Sequence, residues 1–287
     1  MTPVVVGDVS IGGGAPLCVI SGPDVLEGLD AAVHIAEGVK AICDGLGLGY
    51  VFKASYDKGN RGLASSYRGP MLEPGLEMLA AVRERVGCPV LTDVHSEEEA
   101  GRAGEVVDIV QIPAYLSMQT ALVQAAARTG RAVNIKKGQF MDPHAARSPI
   151  DKVRGEGNER VLITERGTTF GYNDLVSDLR CLPILRSHGA PVVYDATHII
   201  RHPGTPAREP RGGSPEFVPH LVRAAVAAGV DALFLETHPE PRMAACDQSS
   251  MLRLAYMPEL LEQAARIHAL VSPWDQGLRE RDAHGFV

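Results

Sequence analysis

The chain has 287 residues, 45% of them hydrophobic and 22% charged, an ordinary globular composition with room for one large α/β domain. A formal net charge of −7 excludes broad, non-specific nucleic-acid binding, which needs a basic surface, but leaves space for a local basic pocket. No apolar run approaches the roughly 20 residues of a membrane helix. The N-terminus, MTPVVVGDVS, lacks the basic and apolar regions of a signal peptide, so a cytoplasmic protein without membrane or nucleic-acid partners is expected. The five cysteines (Cys18, Cys43, Cys88, Cys181, Cys246) are scattered without a C-x-x-C and read as reduced, buried thiols.

In chain order, a pair of short strands comes first, VVVGDVSI (4–11) and LCVIS (17–21). Strands follow at YVFKA (50–54), PVLTDV (89–94), VDIVQIP (107–113), AVNIKK (132–137), VLITER (161–166), PVVYDA (191–196) and ALFLET (232–237). Helical patterns lie between them at 29–46, 76–86, 97–105, 119–130, 174–189, 216–229 and 258–271. The strands are rich in Val and Ile and nearly continuous in apolarity, as in a parallel sheet buried on both faces. Counting LCVIS as the first, eight strands imply an α/β fold: a TIM (β/α)8 barrel with a short N-terminal β-hairpin capping its bottom, one domain over residues 1–287. A doubly wound open sheet is the alternative.

Each strand ends in charged or hydrogen-bonding groups: Lys53-Ala54-Ser55, Asp93-Val94-His95, Gln111-Ile112-Pro113-Ala114, Lys136-Lys137-Gly138, Glu165-Arg166-Gly167, Asp195-Ala196-Thr197-His198 and Glu236-Thr237-His238-Pro239. In a parallel barrel these ends share the face on which active sites are built. Two groups stand out there. Lys53, Lys58, Arg61, Lys136 and Arg166 would hold a compact polyanion, Arg through paired bonds to oxyanions and Lys as a point charge. His198, Glu236, His238 and Asp247, with Asp24 and His95 on other strands, offer lone pairs that a metal ion needs from several elements. In SGPDVLEG (21–28), Asp24 stands either as a helix N-cap or as the first metal ligand. The Pro-, Gly- and Arg-rich stretch 200–214 reads as a mobile lid over the mouth, with a surface insertion as the plain alternative.

The segments FKASYDKGNR (52–61), SYRGP (66–70), TDVH (92–95), QIPA (111–114), VNIKKGQF (133–140), TERGTTFGYNDLVSD (164–178), YDATH (194–198) and ETHPEP (236–241) resemble the 3-deoxy-D-manno-octulosonate 8-phosphate synthase family, from about Leu17 to about Asp247. The resemblance implies a homotetrameric TIM barrel. The implied reaction condenses phosphoenolpyruvate with arabinose 5-phosphate and releases phosphate, giving a 3-deoxy-2-ulosonic acid. By the same resemblance, Lys53 and Lys58 approach the phosphoenolpyruvate carboxylate. Lys136, Arg166 and the backbone of Ala114 form the phosphate site, with Gln111 and Pro113 beside them. Asn60 and Arg61 belong to the acceptor-sugar loop, Asp195 faces the sugar hydroxyls, and Lys58, Asp195 and His198 are the expected catalytic groups. His198, Glu236 and Asp247 match three metal ligands of the family's metal-dependent branch.

The fourth ligand there is a Cys, and in the metal-independent branch an Asn; here it is Asp24. Three oxygens and one imidazole favour Mn²⁺, Fe²⁺ or Mg²⁺ over Zn²⁺. The acceptor-phosphate motifs also depart from the family, reading Asn60-Arg61-Gly62 and Met118-Gln119-Thr120-Ala121 where a Ser and an Arg are expected. Either the acceptor is an altered or unphosphorylated aldose, or it is the ordinary one and Arg201, Arg208 or Arg211 replaces the lost Arg. A non-catalytic phosphoenolpyruvate-binding homologue and a Schiff-base aldolase using Lys136 are the readings of other classes.

Overall fold

The computed structural model describes residues 2–60, 65–172, 174–206, 209 and 211–282. In chain order the elements are β1 (Val4–Val6), β2 (Val9–Ile11), β3 (Cys18–Gly22), α1 (Leu29–Leu46), β4 (Gly49–Lys53), α2 (Leu72–Val82), β5 (Val90–Asp93), α3 (Glu97–Val106), β6 (Ile109–Ile112), α4 (Thr120–Arg128), β7 (Ala132–Lys136), α5 (Arg147–Gly155), β8 (Val161–Glu165), β9 (Thr168–Gly171), β10 (Asp174–Val176), α6 (Cys181–Ser187), β11 (Val192–Asp195), α7 (Val218–Ala227), β12 (Ala232–His238), β13 (Leu252–Arg253) and α8 (Met257–Asp282). Strands β3, β4, β5, β6, β7, β8, β11 and β12 pair in that order, all parallel, and the β12–β3 pairing closes the ring. This is the closed eight-stranded TIM barrel, ringed by helices. Among the described residues no helix is long and apolar enough to cross a membrane.

The helices follow their apolar stripes. In α1 the buried positions Ala32, Ile35, Ala36, Val39 and Cys43 form one face, and Gly47 ends the helix in a left-handed conformation at φ 67°. In α3 the Ser96 side chain caps Glu99 N–H, and Glu97, Glu98 and Glu99 complement the positive end of the helix.

Barrel strands alternate between two cores. Outward residues such as Val19, Phe52, Val110, Ile135, Ile163 and Leu233 pack on the helices. Inward residues Cys18, Ile20, Val51, Leu91, Ile109, Ala132, Leu162, Val193, Ala232 and Phe234 form a second cluster with Val4, Val6, Val9 and Ile11 of the hairpin. The hairpin therefore plugs the floor of the barrel, as expected. It is self-contained, with β1 and β2 pairing over Val4–Ile11, so VVVGDVSI pairs with itself and LCVIS belongs wholly to the barrel.

Two helices differ in extent from expectation, and a third, α5, stands where none is expected. The stretch 174–189 is not one helix: DLV forms β10 against β9, and only Cys181–Ser187 is helical. Pro183 and the polar run before Cys181 shorten it. Helix α5 has a weakly apolar sequence, RSPIDKVRG, and buries only Pro149, Ile150 and Val153, so its period is faint. Helix α2 starts at Leu72, earlier than the apolar run indicates, and continues as a wide π turn over Arg83–Gly87.

Candidate active site

The alternation that builds the floor also builds the mouth. Two residues beyond Val51, Leu91, Ile109, Val193 and Phe234, the same inward face presents Lys53, Asp93, Gln111, Asp195 and Glu236. Strands β7 and β8 run one step further, from Ala132 through Asn134 to Lys136 and from Leu162 through Thr164 to Arg166. A polar row crosses the barrel below the mouth: Thr164 Oγ1 donates to Asn134 Oδ1 (2.7 Å), and Asn134 Nδ2 donates to Gln111 Oε1 (2.9 Å).

The structure answers the question posed by Asp24. Helix α1 begins at Leu29 behind Gly28, so Asp24 caps nothing. A Cβ at Gly22 would lie 2.2 Å from the Lys53 carbonyl, so only glycine lets β3 end this close to β4. The chain then turns at Pro23 and lays Asp24 over the barrel axis, fully buried. Its carbonyl accepts from Ser55 N–H (3.1 Å) and from Lys53 Nζ (2.9 Å).

Asp24, His198, Glu236 and Asp247 converge, with one ligand atom from each lying within 4.8 Å of the others. Asp247 arrives by a device the sequence does not advertise. Strand β12 continues to His238 and pairs with β13, so the intervening loop folds back above Glu236. Asp247 takes the left-handed conformation (φ 47°), and its carbonyl accepts from Ser250 and Met251 N–H.

Each carboxylate of the set has its own cation. Lys58 contacts Asp24, Lys53 Nζ lies 3.0 Å from Glu236 Oε1, and Arg201 contacts Asp247. His198 Nδ1 lies 2.8 Å from Asp195 Oδ2, and Nε2 is turned toward Glu236 and Asp247, 3.6 Å from each. Burial pushes the imidazole down to about 4, helped by Lys136 and resisted by Asp195, so His198 is neutral with a lone pair available at pH 7. Burial, and then the Asp24 charge, raise Glu236 to about 8. Asp24 is held well below the carboxylate range, because Lys58 and Lys53 outweigh its burial. Among the described residues, Asp24 Oδ2 and Glu236 Oε2 are buried without a hydrogen-bond donor. Two under-satisfied oxygens, a neutral imidazole and a third carboxylate fit a hard or borderline divalent cation.

Beside this set stands the cationic group. Lys136 Nζ contacts Asp195, lies 3.5 Å from His198 Nδ1 and sits 3.6 Å above the Phe234 ring. Arg166 is buried, and its Nη1 has no acceptor among the described residues. Gly138 lets the β7 loop approach the turn at Ala114: a Cβ there would meet Phe140 at 2.7 Å and the Ala114 carbonyl at 3.1 Å. A cavity of about 710 Å³ opens above, walled by Lys58, Asn60, Arg166, His198, Arg201 and Asp247 among others.

Asp24, Lys53, Gln111, Lys136, Asp195 and Glu236 are buried and lie outside that wall, behind the groups that face the cavity. Asp195 in particular is buried behind His198 and Lys136, with its oxygens engaged by Lys136, Thr197 and His198. Pro113 and Ala114 open a short turn after β6. Two histidines stand apart from the cluster. His95 binds Asp93 and Glu99, and His238 Nδ1 accepts from Glu240 N–H in its own loop. Arg61, Gly62 and Arg208 lie outside the described residues. Within the 200–214 stretch, Arg201 bridges to Gly213, and Arg201, His202 and Thr205 are among the described residues that line the cavity.

Sequence reasoning missed Phe234 as the ring under Lys136, although it precedes Glu236 by one strand period. It missed Arg201 as the partner of Asp247. It also missed Cys246, whose buried thiol donates toward Asp247 Oδ1 (3.4 Å) and lies against Asp24.

A parallel barrel with a charged cup at the carboxyl ends of its strands has the frame of an enzyme active site. The chain belongs to the DAHP synthetase I family, whose family model matches residues 1–271. Its relatives include the 2-dehydro-3-deoxyphosphooctonate aldolases of Geobacter sulfurreducens, 48% identical over 93% of this chain and 98% of that protein, and of Koribacter versatilis, 49% identical over 94% and 98%. The protein of the same name from Geotalea uraniireducens is 49% identical over 93% of this chain and 97% of its own length. That name designates the octulosonate 8-phosphate synthase that the motifs resemble.

Proposed function

We propose that the protein is a transferase that condenses phosphoenolpyruvate with a five-carbon aldose, arabinose 5-phosphate or a modified form of it. In this reaction C3 of the enol forms a bond to the aldehyde carbon of the aldose. Water adds at C2, and the C–O bond to phosphate breaks to release inorganic phosphate and a 3-deoxy-2-ulosonic acid. One observation carries the reading: Lys136 and Arg166 stand at the barrel mouth directly beside the Asp24–His198–Glu236–Asp247 set, with Lys136 Nζ 3.5 Å from His198. An anion site and a cation site in contact suit a reaction that brings a phosphorylated enol to a polarised aldehyde.

In this reading Lys136, Arg166, Gln111 and the turn at Pro113–Ala114 take the enol phosphate. Lys58, which faces the cavity, takes the carboxylate, and Lys53 holds Asp24 and Glu236 in place. Asn60 and Arg61 meet the acceptor. Asp24, His198, Glu236 and Asp247 would hold Mn²⁺, Fe²⁺ or Mg²⁺, with Zn²⁺ less suited to three oxygens. Bound there, the ion supplies a Lewis acid for the aldehyde oxygen. Asp195 fixes the His198 tautomer, and the buried cup keeps bulk water from the enol. The family resemblance supports a single-barrel subunit in a homotetramer.

The test is phosphate release from phosphoenolpyruvate with arabinose 5-phosphate, and with a panel of unphosphorylated aldoses, the product read by mass. Release that depends on an aldose and yields the summed carbon skeleton supports the reading. Tight phosphoenolpyruvate binding without release for any aldose would sink it in favour of a binding protein.

A further inference from the structure

We propose that the buried Lys137–Glu165 pair is a positioning element for the phosphate clamp formed by Lys136 and Arg166, an inference that rests on the reading above. Strand alternation aims Lys136 and Arg166 into the mouth. It aims Lys137 and Glu165 the opposite way, into the seam outside the barrel. There Lys137 Nζ lies 3.5 Å from Glu165 Oε2, with the two side chains 0% and 2% exposed.

The pair ties together every backbone segment that carries the clamp. Lys137 Nζ donates to the carbonyls of Gly138 (3.4 Å) and Met141 (3.3 Å) and approaches Thr168 Oγ1 (3.5 Å). Glu165 Oε1 accepts from Gly167 N–H (2.6 Å), and Oε2 accepts from the Cys181 thiol at the start of α6 (2.9 Å). The loops that follow β7 and β8 are joined directly by Thr169 N–H to the Gln139 carbonyl (3.2 Å). Lys136 is thus one residue from one member of the pair, and Arg166 lies between Glu165 and Gly167. Gly167 has φ 93°, and a Cβ there would meet Ile199 at 2.8 Å, so this turn has little freedom of its own.

Two physical points turn this geometry into a role. A buried ion pair gives little net stability, because desolvating both charges offsets their attraction, so fold stability is a poor reason for it. Among the described residues Arg166 Nη1 has no acceptor and no side-chain hydrogen bond anchors that guanidinium, so its aim depends on the backbone on either side of it. The pair holds that backbone, and misplacement of a binding group by about 1 Å can cost a hundredfold in rate.

The experiment compares wild type with Lys137→Met, which removes the charge at similar length, and Glu165→Gln, which keeps the shape and the acceptor for Gly167 N–H. Steady-state kinetics are read for phosphoenolpyruvate and arabinose 5-phosphate separately. The expected result is a KM for phosphoenolpyruvate raised about tenfold or more in each variant, with the acceptor KM within about twofold. An unchanged phosphoenolpyruvate KM in folded variants, whatever happens to kcat, overturns the proposal and leaves the pair a purely structural feature. If Lys137→Met does not fold, Glu165→Gln decides; failure of both to fold also overturns it. A wild type that neither binds nor consumes phosphoenolpyruvate fails the proposed function instead.

Discussion

On the β3–β11–β12 side of the mouth, the charged-group atoms left without a partner among the described residues are acceptors, Asp24 Oδ2 and Glu236 Oε2. On the β6–β7–β8 side the charged-group atom so left is a donor, Arg166 Nη1, while the neutral Gln139 leaves its Oε1 unpaired. Both sides use the same inward strand positions, and both stand on the same apolar floor of Val51, Leu91, Leu162 and Phe234. The difference teaches what each side awaits. Buried polar groups are normally satisfied, so stranded oxygens ask for a cation and a stranded guanidinium N–H asks for an anion. His198 and Lys136 meet at the border, with Asp195 bonded to both.

The sharpest way to break the comparison is to remove a ligand from one side only. His198→Ala is expected to lower Mn²⁺ affinity by more than about 100-fold, since loss of even an outer-shell partner costs about 10–100-fold. Phosphoenolpyruvate binding should persist. Calorimetric titration of both ligands checks this, and equal losses of both would erase the distinction between the two sides.

Arg166→Ala tests the other side. Losing charge-assisted bonds worth about 1.5–3 kcal/mol predicts a phosphoenolpyruvate KM raised about 10–100-fold. Metal content, read by elemental analysis, should not change.

A smaller effect comes from Asp24→Cys. A thiolate in place of the carboxylate should move the preference from Mn²⁺ toward Zn²⁺ by roughly tenfold in a competition titration. An unchanged ratio would remove Asp24 from the ligand set.

The smallest effect lies outside the cup. Burial alone would lower His95, but the hydrogen bond and charge of Asp93, then the charge of Glu99, raise it above the ordinary imidazole value. A raised folded value means this contribution to stability is complete below about pH 6.5 and is lost as pH rises through the higher value. The stability difference between wild type and His95→Phe, under about 1 kcal/mol, should therefore shrink between pH 6 and pH 9 in denaturant titrations. A difference that does not vary with pH would show that His95 is uncharged throughout.

The barrel was legible because its strands are continuous apolar runs, and the mouth because alternation places Lys53, Gln111, Asp195 and Glu236 two residues past apolar floor positions. The hairpin plug, the eight barrel strands and the convergence of Asp24 with His198, Glu236 and Asp247 follow that reading. What stayed hidden depends on tertiary return paths. The sequence points to Asp247 but not to its route: the loop returns through β13, a two-residue strand with no periodic signature that pairs with β12. Arg201 pairs with Asp247 across 46 positions of chain. His95 and His238 carry the same residue type at equivalent strand ends, yet local bonds to Glu99 and Glu240 turn them away.

The most direct test of the central claim is phosphate release from phosphoenolpyruvate and arabinose 5-phosphate by metal-stripped protein, before and after Mn²⁺ is added back. The account predicts negligible release when stripped and recovery with Mn²⁺, as expected if the stranded oxygens of Asp24 and Glu236 await a cation. Full release from the stripped protein would contradict it and would make Lys53, Lys58 and Arg201 the permanent partners of these carboxylates.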